Sequence, residues 1–192
     1  MDVWNEYIQR NQVVINPAGM ENRLMHLVDK LVQITQEKST IVFTAGNGGS
    51  ATTADHFAAD LALTNKRVGY PLRAICLNSH LGLTTALSND IRYSEALSEQ
   101  LKNYAFEKHI VITFSASGNS NNLISLHKTA SIMGLEAWAF LGFDGGEISN
   151  LKDIHTLVFP DEKKNYGILE NAHLTACHFI VEQLNARLVT LK

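Results

Sequence analysis

Five short apolar runs, rich in β-branched or aromatic residues, alternate along this chain with segments of helical spacing. They fall at 40–45, 73–77, 109–114, 137–142 and 154–159. Runs of this length between turn residues read as strands buried on both faces, and strands that alternate with helices belong in a parallel sheet. The expected fold is α/β, a doubly wound five-stranded parallel sheet with helices on both sides. Helices are expected at 2–13, 20–37, 50–64, 92–106, 121–134 and 166–189, with short ones ending near Ser88-Asn89 and following Asp144-Gly-Gly146. The second repeats Leu24, Leu27, Val28, Leu31, Val32 and Ile34 on one face. The chain thus reads as one domain over 1–192, with N-terminal helices in 1–38 and the sheet core and long C-terminal helix in 39–192.

Composition removes several alternatives. Of 192 residues, 45% are hydrophobic and 18% charged, which suits a soluble globule with a sizeable core. A formal net charge of −3 with no basic stripe argues against a nucleic-acid partner. No apolar stretch is long enough to span a membrane, and Met1-Asp-Val-Trp-Asn-Glu6 lacks a basic segment and an apolar core of a secretory signal. Cys76 and Cys177 sit far apart in apolar contexts and read as buried free thiols. A cytoplasmic location is the expectation that follows.

The densest chemistry follows the first strand. Gly46-Asn-Gly-Gly-Ser50 turns it into a helix, and such a turn aims backbone N–H groups at the helix mouth, where an anion such as a phosphate is favoured. Asn47 and Ser50 add an amide and a hydroxyl. His56 and Asp60 lie one helical turn apart on a shared face, as acid–base groups or metal ligands. A second polar turn, Ser115-Ala-Ser-Gly-Asn-Ser120, follows the third strand with three hydroxyls around Gly118. With strand order 2-1-3-4-5, strands one and three are neighbours, and both turns open into the crevice at the switch point. Each turn alone is also compatible with ordinary backbone shape or helix capping. Neither Gly-x-Gly-x-x-Gly nor a Gly-x-x-x-x-Gly-Lys-Ser/Thr loop is present, which disfavours a nucleotide cofactor.

Taken together, Gly46-Asn-Gly-Gly-Ser-Ala51, His56-Phe-Ala-Ala-Asp60, Ser88-Asn-Asp90, Ser115-Ala-Ser-Gly-Asn-Ser120 and Glu170-Asn-Ala-His-Leu-Thr-Ala-Cys-His178 resemble the sugar isomerase (SIS) family, in its phosphoheptose isomerase branch. The resemblance covers almost the whole chain. It implies an aldose–ketose isomerase that moves a proton between C1 and C2 of a heptose 7-phosphate through an enediol. Asp60 and His178 would supply the base and the acid. Asn47, Gly48, Gly49, Ser50, Asp90, Ser115, Ser117, Ser120 and Glu170 would bind substrate. Zinc, bound by some members, maps to His56, Asp60, Glu170 and His178. The resemblance also implies a homotetramer with active sites at subunit interfaces, and products that feed lipopolysaccharide or capsule synthesis.

The chain departs from the family pattern at the chemical end. Asp60 stands where Glu is usual, Glu170 where Gln is usual, Gly167 where Asp is usual and Ala116 where Thr is usual. Spacing adds a constraint. Glu170 and His178 are eight residues apart, about 12 Å along a helix, too far to share one ion within one copy. Glu170 and His173, three apart, have a spacing that suits shared ligation. A metal-dependent hydrolase is disfavoured because no set of three ligands at compatible spacing is evident in one chain. The alternative to an isomerase is a non-catalytic member of the family, either a sugar-phosphate sensor or a DiaA-like tetrameric scaffold. The presence of His178 favours the enzyme.

Overall fold

The computed structural model describes residues 2–37, 39–70, 72–106 and 108–191, leaving aside the side chains of Asn65 and Arg67. The strands are β1 (Ile41–Ala45), β2 (Arg73–Cys76), β3 (Ile110–Ser115), β4 (Glu136–Gly142) and β5 (Ile154–Phe159). They form one parallel sheet in the order β2-β1-β3-β4-β5. Around them lie α1 (Val3–Ile15), α2 (Met20–Ile34), α3 (Gly49–Ala62), α4 (Thr64–Val68), α5 (Leu81–Asp90), α6 (Ala96–Tyr104), α7 (Asn121–Ile132) and α8 (Tyr166–Thr190).

The two-residue period of the strands divides the core in two. Ile110, Ile112 and Phe114 of β3, with Trp138 and Phe140 of β4, face the layer of α2, α3 and α8. Val111 of β3 and Ala139 and Leu141 of β4 face α6 and α7 on the other side. A strand buried on both faces has no solvent side to show, which is why β3 and β4 are mostly apolar.

α8 is 25 residues long, and Leu169, Ala172, His173, Ala176, Ile180 and Leu184 of its buried face cover the middle of the sheet. The N-terminal helices dock on it. Asn171 donates to Asn11 of α1 at 3.0 Å. Arg10 of α1 donates to both carboxylate oxygens of Asp161 at 2.7 Å, fixing the segment that leads into α8. Burial opposes ionisation of Asp161, but hydrogen bonds from Arg10 and the backbone of Asn165 and Lys163 outweigh it and hold the carboxyl below its ordinary range.

Several expected boundaries move for local reasons. The helix expected over 20–37 ends at Ile34, where the Thr35 hydroxyl bonds back to the Val32 carbonyl at 2.7 Å. The helix expected over 50–64 stops at Ala62, and the separate turn α4 was not anticipated. The segment expected as one helix over 92–106 is a 3₁₀ turn at Tyr93–Glu95 followed by α6. The short helix expected after Gly146 is a 3₁₀ turn at Ile148–Asn150. The division placed after residue 38 falls on Lys38, which lies outside the described residues. Both cysteines are buried and free.

Candidate active site

β1 and β3 run side by side with Ala45 opposite Thr113, so the loops that leave their carboxyl ends meet. They enclose a cavity of about 300 Å³. Asn47, Gly48, Gly49 and Ser50 line it from the first loop. Ser115, Ala116, Ser117 and Ser120 line it from the second. Phe114 forms part of the wall, and α8 contributes Tyr166 and Glu170. Eight of the residues singled out in the sequence as substrate contacts therefore share one cavity. Asp90 does not line it; it is the exposed last residue of α5.

Two helices begin at this cavity. Neither the α3 N-cap, Gly48, nor the α7 N-cap, Ser120, makes a side-chain capping bond. Their first N–H groups and the positive ends of two helix dipoles therefore converge on one volume, which favours a dianion. The serines complement this. Ser115 Oγ accepts from the Gly118 N–H at 3.0 Å and Ser117 Oγ from the Asn119 N–H at 3.3 Å. With their oxygens so engaged, both hydroxyl protons remain available to donate. Gly118 has φ +64°, and a Cβ there would collide with the Gly145 carbonyl oxygen, so the second loop depends on glycine.

Gly49 makes room for a side chain rather than for backbone. A Cβ at this position would strike the Glu170 carboxylate. α3 and α8 start side by side, and Glu170 rests against the first turn of α3, where a negative charge is favoured.

Farther along the same two helices lies a second group. His56 Nε2 is 3.3 Å from Asp60 Oδ2, and His178 Nε2 is 3.3 Å from His56 Nε2. Ligand atoms of all three lie within 4.8 Å of one another. Two imidazoles and a carboxylate are a donor set that suits zinc, whose bonds of about 2.0–2.2 Å require ligand atoms a few ångströms apart. The expectation that one chain holds no set of three ligands is corrected here, because α8 places His178 beside the His56–Asp60 turn of α3. Glu170, expected as a fourth ligand, is not part of this group within one chain. It sits two helical turns earlier, at Gly49, as the helical rise requires.

His173 also fails as a ligand. It is buried against Phe114, Phe140 and Phe159. Burial pushes its pKa down to about 4, against a smaller opposing effect of a hydrogen bond with the Leu141 backbone. Next to His178, burial and the nearby Asp60 charge push the Cys177 thiol well up, so it packs as a protonated side chain. Tyr166, at the cavity mouth against Phe143, carries no motif and was not anticipated.

The SIS domain family model matches residues 7–142. The chain belongs to the SIS domain family. The SIS assignment extends to relatives along nearly the full length. Phosphoheptose isomerase of Syntrophotalea carbinolica is 30% identical over 190 residues, covering 96% of this chain and 93% of that protein. Phosphoheptose isomerase of Helicobacter pylori is 29% identical over 164 residues, covering 85% and 83%. The structure of a phosphoheptose isomerase from Francisella tularensis superposes with a TM-score of 0.85 at 24% identity, covering 96% of this chain and 97% of that one. The SIS fold is thus shared from the N-terminal helices to the end of α8.

Proposed function

We propose that this SIS protein is an aldose–ketose isomerase that interconverts sedoheptulose 7-phosphate and D-glycero-D-manno-heptose 7-phosphate through an enediol. The observation that carries the reading is the cavity with two uncapped helix N-termini and two serine-bearing loops, in a chain whose near full-length relatives are phosphoheptose isomerases. In this reading Ser50, Ser115, Ser117 and Ser120 hold the phosphate with the Gly48–Gly49 backbone, and Asn47 contacts sugar hydroxyls. Glu170 bounds the site as an acidic wall.

Isomerisation needs one group to take the proton from one carbon and one to protonate the neighbouring oxygen. Asp60 and His178 fill these roles. In a metal-loaded form His56, Asp60 and His178 would hold zinc, which would polarise the sugar oxygens; Asp60 and His178 serve as base and acid when they do not ligate it. Asp60 is eleven residues after Gly49, about 16 Å along α3 at the usual helical rise. The phosphate end and the chemical end of one chain are thus far apart, which supports sites completed at the interfaces of a homotetramer. In such a site, Asp90 of a neighbouring copy would join the substrate.

Exposed apolar side chains support assembly. α5 buries none of its residues within the chain, and Leu81, Ile91, Trp4 and Val13 are exposed. Among the described residues no helix is long and apolar enough to cross a membrane. With two unpaired thiols, this supports a cytoplasmic enzyme supplying heptose for lipopolysaccharide or capsule synthesis.

The test is an isomerase assay with sedoheptulose 7-phosphate on chelator-stripped and zinc-loaded protein. Turnover in either form supports the reading, and the difference between them measures the metal's part. Absence of turnover in both, with saturable sugar-phosphate binding by calorimetry, would replace the enzyme by a sensor.

A further inference from the structure

Asn47 lies at the rim of the cavity, and its side chain is held more firmly than a loop amide requires. Asn47 Nδ2 donates to Asn122 Oδ1 at 2.9 Å, and Asn122 Nδ2 donates to Asn47 Oδ1 at 2.8 Å. Tyr93 adds a third bond, its hydroxyl donating to Asn47 Oδ1 at 2.6 Å. Asn122, in the first turn of α7, is 2% exposed.

A reciprocal pair of amides looks the same when both are flipped, so the pair alone does not say which atom faces the cavity. One bond breaks that symmetry. The Leu123 backbone N–H donates to Asn122 Oδ1 at 3.1 Å, and a backbone N–H can only donate. It fixes the Asn122 oxygen, which fixes Asn47 Nδ2 toward it and Asn47 Oδ1 toward Asn122 Nδ2. The Tyr93 hydroxyl then fills the second lone pair of Asn47 Oδ1. By the inventory of an amide side chain, one N–H of Asn47 is left over and no acceptor.

The turn that carries Tyr93 is itself tied to α7. Glu95 accepts from Ser125 Oγ at 2.6 Å and from Ser98 Oγ at 3.2 Å. The 3₁₀ turn Tyr93–Glu95 and the first two turns of α7 thus brace the β1–α3 loop together.

We propose that Tyr93 and Asn122 are positioning residues that lock the Asn47 side chain as a hydrogen-bond donor to an oxygen on the sugar, rather than the phosphate, of the bound sugar phosphate. This deepens the isomerase reading and rests on it for the identity of the ligand. The lock makes the site select a ligand oxygen that accepts at this point. It also means that Tyr93, with no contact of its own required, influences affinity through Asn47.

The experiment is a double-mutant cycle with Tyr93→Phe and Asn47→Ala, read by calorimetry with sedoheptulose 7-phosphate and with inorganic phosphate. Tyr93→Phe is expected to weaken sugar-phosphate binding about three- to tenfold, the range of one neutral hydrogen bond, with inorganic phosphate affinity and melting temperature unchanged. In the Asn47→Ala background the same change should have no further effect. Equal effects of Tyr93→Phe in both backgrounds would overturn the proposal, as would an equal loss for inorganic phosphate. If the unmodified protein binds no heptose phosphate, the isomerase reading fails, and the lock is then judged on the protein alone. The Asn47 and Asn122 side-chain N–H protons that bond each other's amide oxygens should exchange slowly with solvent and lose that protection in Tyr93→Phe; fast exchange of these two protons in the unmodified protein overturns the lock.

Discussion

The two chemical regions of this chain are built in different ways. The cavity at the β1–β3 switch point is made largely of backbone: two helix starts, serines whose oxygens are already committed, and a second loop whose Gly118 has a backbone shape and a close approach that favour glycine. The His56–Asp60–His178 group is made of side chains on the outer faces of α3 and α8, with both imidazoles exposed. A backbone site is preorganised when the sheet forms. A side-chain group on exposed helix faces is set by side-chain rotamers, which the sheet does not fix.

The sharpest way to separate the two is His178→Ala. If His178 is the acid–base group proposed, its removal is expected to lower isomerase kcat by about 10²- to 10⁴-fold. Melting temperature and inorganic phosphate affinity should stay unchanged. A matching loss of phosphate affinity would show that the two regions are one.

Acid should act on the opposite region. His127, hydrogen-bonded to Thr113 behind the cavity, and His173 are buried, and burial pushes both pKa values from 6.5 down to about 4. Folded, they are neutral; unfolded, they take up protons near pH 6.5. Their neutral burial is therefore without penalty above pH 6.5, and stability falls as pH drops from there to about 4. The loss is about 3 kcal/mol per histidine. Denaturant unfolding at pH 7, 6, 5 and 4.5 checks this, and a flat profile would contradict the burial of both rings.

Gly118→Ala tests whether the cavity depends on backbone shape. The positive φ and the approach of Gly145 predict a loss of about 1–3 kcal/mol in stability together with weakened phosphate binding. Zinc affinity of the distant group should be unaffected, as titration with the metal would show. The smallest effect is expected from Glu170→Gln. It removes a negative charge from the wall of a cavity proposed to hold a dianion, so phosphate affinity should rise about three- to tenfold at low salt and less at high salt. Weaker binding would assign the carboxylate a direct role with the sugar.

Much of this was readable in the residues, and the exceptions have a common cause. The central strands were legible because burial on both faces leaves a nearly unbroken apolar run, as in Ile110–Phe114, where only Thr113 is polar. The two glycine- and serine-bearing loops were legible because both follow such runs at strands that the order 2-1-3-4-5 makes neighbours, although each alone also fits ordinary turn or capping chemistry. Asp90 was not separable by motif from the cavity residues, because distance from the crevice is not written in local spacing. Tyr93, Asn122 and Tyr166 carry no pattern of their own, and they matter only through what they touch.

By itself the sequence determined the order of the five strands and the main helices between them, the two-sided core and the pair of loops that must meet if β1 and β3 are neighbours. These follow from periodicity and backbone chemistry, which act over a few residues. Only the tertiary structure decided that His178 joins His56 and Asp60 while Glu170 stands against Gly49, and that His173 is core. It also decided that a buried asparagine and a tyrosine from a distant turn set the orientation of Asn47. These outcomes depend on how α3, α7 and α8 are placed against one sheet, and that packing is a property of the whole chain.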